Sequence, residues 1–173
     1  MKPITIRPVR LEDAKALAEL FTALDNETRF MLFEPGERQL TEEKQRLKIQ
    51  AILENPRQQM FVALDADQSP IGVVSGLGGQ ANRNRHSLYC AIGVLAEARH
   101  QGVGRSLMET LIEWAQAQHM TRIELTVMTH NHRAKHLYDS LGFTVEGVKQ
   151  QALKVEGQYV DEYFMARLLD SGE

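Results

Sequence analysis

The sequence predicts an α/β chain of the α+β kind, a single domain over residues 1–173 built on one mixed sheet. Three observations carry this expectation. Apolar residues switch between a period of two and a period of 3.6 along the chain, so strands and helices alternate. After a helical N-terminal part the order reads ββαβαββ. No linker, repeat or low-complexity segment divides the 173 residues, a length usual for one domain and sufficient for a real core.

The elements follow in order. "PITIRPV" alternates and reads as a first strand. "LEDAKALAELFTALDN" places Leu11, Ala14, Leu17, Ala18 and Phe21 at helical spacing. "ETRFMLFEPGER" is irregular, with Phe30 and Phe33 expected to be exposed. Thr41 opens a second helix that runs to Asn55, and Pro56 marks its end. "QMFVALD" and "PIGVVSGLGG" form a hairpin around "ADQS", and "HSLYCAIGVL" adds a third strand to that meander. "VGRSLMETLIEWAQAQ" is the clearest helix, with Trp114 expected in the core. "RIELTVM" sets Ile123, Leu125 and Val127 against Glu124, Thr126 and Met128. "NHRAKHLYDSL" puts Ala134, Leu137, Tyr138 and Leu141 on one helical face, with Asn131 as N-cap and Gly142 past the end. "FTVEGVKQQALKV" and "QYVDEYFMARLL" close the chain as a hairpin about Glu156–Gly157.

Composition narrows the functional classes. A hydrophobic content of 43% with 25% charged residues describes a soluble globular chain. The net charge of −3 argues against a general nucleic-acid binder. No apolar run reaches the ~18 residues of a membrane span, and "MKPITIRPVR" lacks the apolar centre of a signal peptide. Cys90 is the only cysteine, which excludes an internal disulfide and a cysteine metal cluster. A reducing cytoplasm is the expected setting.

The stretch "RHQGVGRSL" carries the first chemical signal. A strand ending near Leu95 feeds a loop that opens a helix near Gly102. A helix start offers unpaired N–H groups and partial positive charge. Gly102 and Gly104 let a ligand approach the backbone, and Arg99 and Arg105 add positive charge. This suits a phosphate or pyrophosphate; the plain alternative is a tight strand-to-helix turn. A Walker loop is excluded because Arg105-Ser106, not Lys-Ser/Thr, follows Gly104. A dinucleotide fingerprint is excluded because Leu107 stands where its third glycine belongs. His132 and His136 have a metal-ligand spacing, but Arg133 stands where a zinc-protease glutamate would be, and no metal is expected. "NRNRHS" reads as a solvated charged loop that could also steer anions.

"Arg99-His100-Gln101-Gly102-Val103-Gly104" resembles the Arg/Gln-x-x-Gly-x-Gly/Ala loop of the GNAT superfamily of N-acetyltransferases. "Asn131-x-x-Ala134-x-x-Leu137-Tyr138-x-x-x-Gly142-Phe143" resembles that family's second signature, and the element order agrees along nearly the whole chain. The tail from Val145 is similar to bacterial members that acetylate small amines, free amino acids or protein N-termini. The resemblance implies a mostly antiparallel central sheet flanked by helices, with a splayed strand pair that binds acetyl-CoA as cosubstrate. Backbone at Ile92, Gly93 and Val94 would then pair with the pantetheine arm. N–H groups from His100, Gln101, Gly102, Val103, Gly104 and Arg105 would hold the pyrophosphate. Asn131 would hydrogen-bond the pantetheine or acetyl end, and Tyr138 would lie near the thioester sulfur as proton donor. By spacing alone Tyr138 reads as a core aromatic; with the resemblance both roles hold at once, the ring packed and the hydroxyl at the cleft.

The family often has a glutamate on the strand before the loop, and "HSLYCAIGVL" has no carboxylate. By register His86 falls near that place as a catalytic base, with Tyr89 and Glu124 as other polar candidates; each also reads as an ordinary strand position. Glu34, Glu37 and Arg38 lie in the region that covers the acceptor side in this family, or form a surface loop. The implied activity is direct attack of a primary amine, a small amine or amino acid, on the thioester. A protein N-terminus or lysine is the competing acceptor, and a non-catalytic acyl-CoA-binding module the competing class. No membrane or nucleic-acid partner is implied. Single-domain members often dimerise, so a homodimer is an assembly the resemblance allows.

Overall fold

The computed structural model describes residues 3–170; the outermost residues of the expected 1–173 domain, 1–2 and 171–173, lie outside the described residues. The strands are β1 (Thr5–Pro8), β2 (Gln58–Leu64), β3 (Pro70–Gly78), β4 (Ser87–Val94), β5 (Arg122–Met128), β6 (Thr144–Val155) and β7 (Gln158–Leu168). The helices are α1 (Ala14–Glu27), α2 (Glu42–Glu54), α3 (Val103–Ala117) and α4 (His132–Ser140). The sheet order is β1-β2-β3-β4-β5-β7-β6, antiparallel at β1–β2, β2–β3, β5–β7 and β6–β7 and parallel at β4–β5. The chain forms two compact units, one running to Leu77 and including Ala91–Leu111, the other Gly78–Cys90 and the chain from Ile112 onward.

In the first unit β2 is buried on both faces from Met60 to Leu64, which its unbroken apolar run requires. Leu17, Leu24, Ile49 and Met60 centre its core. The first helix begins as a 3-10 turn at Leu11–Asp13, so Leu11 is not on the buried stripe and is 39% exposed, against expectation. Asp13 is buried beside β1: Arg7 donates to both of its oxygens, at 2.8 Å each, and the Arg10 N–H adds a 2.7 Å bond. Burial alone would push the Asp13 carboxyl up; Arg7 and the Arg10 N–H outweigh it and hold the group low. Thr41 caps α2 as expected, its Oγ1 accepting from the Lys44 N–H at 3.1 Å.

Gln45 on α2 is 1% exposed, and among the described residues its Nε2 has no hydrogen-bond partner. A buried amide without an acceptor costs about 1–3 kcal/mol. Gln45→Met keeps the volume and removes the orphan donor. It is expected to raise stability by about 1 kcal/mol, read as a melting temperature about 2–4 °C higher. An unchanged or lower melting point would mean that the amide is served in solution by a buried water.

In the second unit the turns follow the sequence closely. Asn131 caps α4, Gly142 lies past its end at φ +88°, and Glu156 and Gly157 both take positive φ between β6 and β7. Ile123, Leu125 and Val127 are buried as expected; Met128 is buried with them rather than facing outward. Trp114 is half-buried, not a core residue. The β4–β5 ladder pairs Ser87 with Arg122, Leu88 with Ile123 and Tyr89 with Glu124, at the start of both strands.

Candidate active site

The loop after β4 belongs to the first unit. The Leu95 N–H donates to the Ile71 carbonyl at 2.9 Å, and the Ala96 N–H donates to the Glu27 carboxylate at 2.7 Å. A 3-10 turn over Ala96–Ala98 follows, and His100 and Gly102 then take left-handed φ of 66° and 75°. Gly102 has nothing within 4 Å of where a Cβ would stand. The glycine is there for its backbone conformation, and its open face leaves room for a ligand. The Ser106 N–H donates to the Gly102 carbonyl, so α3 begins here and the N–H groups of Val103, Gly104 and Arg105 stand in its first turn. Val103 and Leu107, 1% and 0% exposed, fix that turn to the core. Arg105 is paired with Glu109 at 3.7 Å. Gln101 is half-buried and Arg99 exposed.

Ile92, Gly93 and Val94 are half-buried on β4. A Cβ on Gly93 would stand 2.8 Å from Leu24 Cδ1, so the glycine itself is required by helix packing. In the same unit Arg38 donates from Nε and Nη2 to both oxygens of Asp25, at 2.9 and 2.7 Å. Its guanidinium lies 5.0 Å from the Phe21 ring and 4.6 Å from the Phe33 ring. Arg38 is thus a buried tie, unlike the surface loop that was one reading of this segment, and Phe33 is half-buried rather than exposed. Glu34 and Glu37 are exposed, joined by a 3.2 Å bond from the Glu34 N–H to Glu37 Oε1.

The second unit holds the other candidate residues. Asn131 Oδ1 accepts from the Ala134 N–H at 3.4 Å, which occupies the oxygen in capping and leaves the NH₂ as the donor end. Tyr138 is 6% exposed, with its ring 5.9 Å from that of Phe143. Burial, with smaller contributions from Cys90 and Tyr89, pushes its hydroxyl well above the usual phenol range, so it stays protonated at any working pH. Burial, helped by the charge of Glu124, pushes the Cys90 thiol up to about 12, which makes it inert.

Tyr89 shares a 3.1 Å hydrogen bond with Thr126 Oγ1. Glu124 Oε2 accepts from Arg122 Nε at 2.9 Å, and Arg122 donates twice more to Glu146, at 3.0 and 2.6 Å. His86 is exposed and precedes β4; its carbonyl accepts the N–H groups of Thr121 and Arg122. It stands three residues before Tyr89, about 10 Å along an extended chain. The Tyr89–Thr126 pair and the Arg122–Glu146 bridge were not visible in the sequence. The alternation in "RIELTVM" puts residues 122, 124 and 126 on one face, but only the strand pairing shows what that face meets. Among the described residues no group of three or more His, Cys, Asp or Glu could hold a metal ion. No described helix is long and apolar enough to cross a membrane.

A mixed seven-stranded sheet in this order, with a loop after β4 that opens α3, is the fold of acetyltransferases. The profile of the Acetyltransferase (GNAT) family matches residues 17–143, and the chain belongs to that family. It is similar to the L-amino acid N-acetyltransferase AaaT of Escherichia coli (strain K12), 36% identical over 92 residues that cover 50% of this chain and 55% of that protein. It is also similar to the [ribosomal protein uS5]-alanine N-acetyltransferase of Escherichia coli (strain K12), 27% identical over 107 residues, 61% of this chain and 55% of that protein. The chain thus spans about half the length of the curated relatives it matches. Among solved structures, a GNAT-family acetyltransferase from Streptococcus pneumoniae superimposes with a TM-score of 0.92 at 28% identity, covering 97% of this chain and all of that one. A phosphinothricin acetyltransferase from Sinorhizobium meliloti, solved with AcCoA, gives a TM-score of 0.86 at 21% identity, covering 98% of this chain and 90% of that one. The mostly antiparallel sheet flanked by helices is the fold these share.

Proposed function

We propose that the chain transfers the acetyl group of acetyl-CoA to a primary amine, with a small amine or amino acid as the leading acceptor. The observation that carries this reading is the loop from Arg99 to Arg105. Left-handed His100 and Gly102 turn its backbone into the start of α3, and the face of Gly102 is open. Those N–H groups would hold the pyrophosphate, β4 backbone at Ile92–Val94 the pantetheine, and the Asn131 amide NH₂ its acyl end. The bound thioester supplies an activated acyl carbon. Tyr138, kept protonated by burial, would give its proton to the departing sulfur. His86 remains a candidate base. The similarity to AaaT supports a free amino acid as acceptor; the similarity to the uS5 enzyme supports a protein N-terminal alanine, which is the second reading.

The test is thiol release from acetyl-CoA with a panel of primary amines, L-amino acids and an Ala-initiated peptide, with product masses. Thiol release with free amines or amino acids supports the reading; release with the peptide alone favours the second. A thermal titration tests the loop. Acetyl-CoA at a hundred times its Kd is expected to stabilise the parent by about 2.7 kcal/mol, a shift of about 5–11 °C. Gly104→Glu places a side chain and a negative charge against the pyrophosphate and is expected to abolish the shift. Equal shifts in both proteins would place the cofactor elsewhere.

A further inference from the structure

The face of the second unit that carries Tyr89 has a charge pattern the fold does not need. Residues 122, 124 and 126 of β5 alternate with buried Ile123, Leu125 and Val127, so Arg122, Glu124 and Thr126 share one side. Arg122 is the one cation of a trio whose other members are Glu124 and Glu146. One guanidinium therefore serves two carboxylates, and a negative charge is left over. Glu146 spends both oxygens on Arg122. Glu124 spends one, Oε2, and among the described residues its Oε1 has no hydrogen-bond partner. The Glu124 side chain is 27% exposed.

Position adds an independent argument. Glu124 faces Tyr89 on the last rung of the β4–β5 ladder, and the Tyr89 hydroxyl turns to Thr126 beside it. On β7 the register partner is Ala166, which is uncharged. Glu124 thus stands beside Tyr89 where the β4–β5 pairing ends.

We propose that Glu124 is the catalytic carboxylate that receives the amino end of the acceptor and takes a proton from its nitrogen as the neutral amine attacks. Arg122 is the positioning residue that holds Oε2 and leaves Oε1 to the substrate. The assignment rests on the acetyl-transfer reading above. In the step, a bond forms between the acceptor nitrogen and the thioester carbon, and the carbon–sulfur bond breaks with its electron pair on sulfur. The surplus nitrogen proton passes to Glu124, and the sulfur takes the Tyr138 proton, which solvent replaces.

The experiment is the pH profile of kcat/KM for thiol release from acetyl-CoA with an L-amino acid panel, for the parent, Glu124→Gln, Glu146→Gln and His86→Ala. Glu124→Gln keeps the bond from Arg122 and loses the proton acceptor. Its kcat/KM is expected to fall by roughly 10²–10⁴-fold across the whole profile, protonation of the amine itself giving an acid limb in every variant. The melting temperature and the acetyl-CoA thermal shift should match the parent. Glu146→Gln is expected to lose far less than Glu124→Gln. A Glu124→Gln kcat/KM that matches the parent across the profile overturns the assignment, as does a loss of that size in His86→Ala without one in Glu124→Gln. A parent that releases no thiol with any amine overturns the transfer reading itself, and the assignment with it.

Discussion

Tyr138→Phe is expected to lower turnover by roughly ten- to a thousandfold and to leave the fold intact. The two effects separate because the residue has two parts. Its ring is 6% exposed and packs on Phe143, and phenylalanine reproduces that packing. Its hydroxyl is held protonated by burial, so it can donate at any working pH and is expected to add no limb of its own to a pH profile near neutrality. Removing it takes away one donor to the departing sulfur and little else. The melting temperature should stay within a few degrees of the parent. Tyr138→Ala, by contrast, removes the ring and is expected to cost about 3–5 kcal/mol of stability. Steady-state rates and melting curves for the two variants decide the matter. A Tyr138→Phe enzyme as fast as its parent would leave Tyr138 with a packing role alone.

What the sequence disclosed and what it hid divide along a physical line. Local rules worked where a residue acts through its own backbone. Thr41 and Asn131 cap helices, Gly142 ends one, and Glu156–Gly157 turns a hairpin, all within a few residues of chain. The loop at Gly102 was legible for the same reason. Residues that act through distant partners were not. Glu124 is one polar candidate among several, and equally an ordinary strand position, until β4 is known to pair with β5 across the whole of α3. The resemblance gives Gly93 a backbone role beside the pantetheine, but its missing side chain answers to Leu24 on α1.

Two signals were present and easy to pass over. Asp25 follows Phe21 by four residues and so falls on the buried stripe of α1, where a charge demands a partner. Gln45 precedes Ile49 by four on α2 and is buried for the same reason. A polar residue inside an apolar helical stripe is the local trace of a long-range contact. Phe33 reads as exposed because it is covered by Arg38, and what turns Arg38 inward, Asp25 and Phe21, lies on α1.

Asp25→Ala is expected to destabilise the protein by about 3–5 kcal/mol, the cost of leaving a buried cation unpaired, and to lower the melting temperature by about 6–20 °C. The side chains of Asp25 and Arg38 are 4% and 15% exposed and meet through two short bonds. Arg38 also rests against Phe21 and Phe33, so it cannot turn out to water without giving up both rings. The segment 28–40 contains no helix or strand, and this pair fixes its far end to α1. Arg38→Met leaves Asp25 buried without its cation and is expected to cost a similar amount. Replacing both, Asp25→Leu with Arg38→Met, removes both charges and fills the space with carbon. The double variant should be more stable than either single one, because the desolvation of two ions disappears with their attraction. Denaturant unfolding of the four proteins gives the coupling energy directly. If each single variant loses no more than the ~0.5 kcal/mol of a surface substitution, the pair is open to water in solution and does not hold the segment.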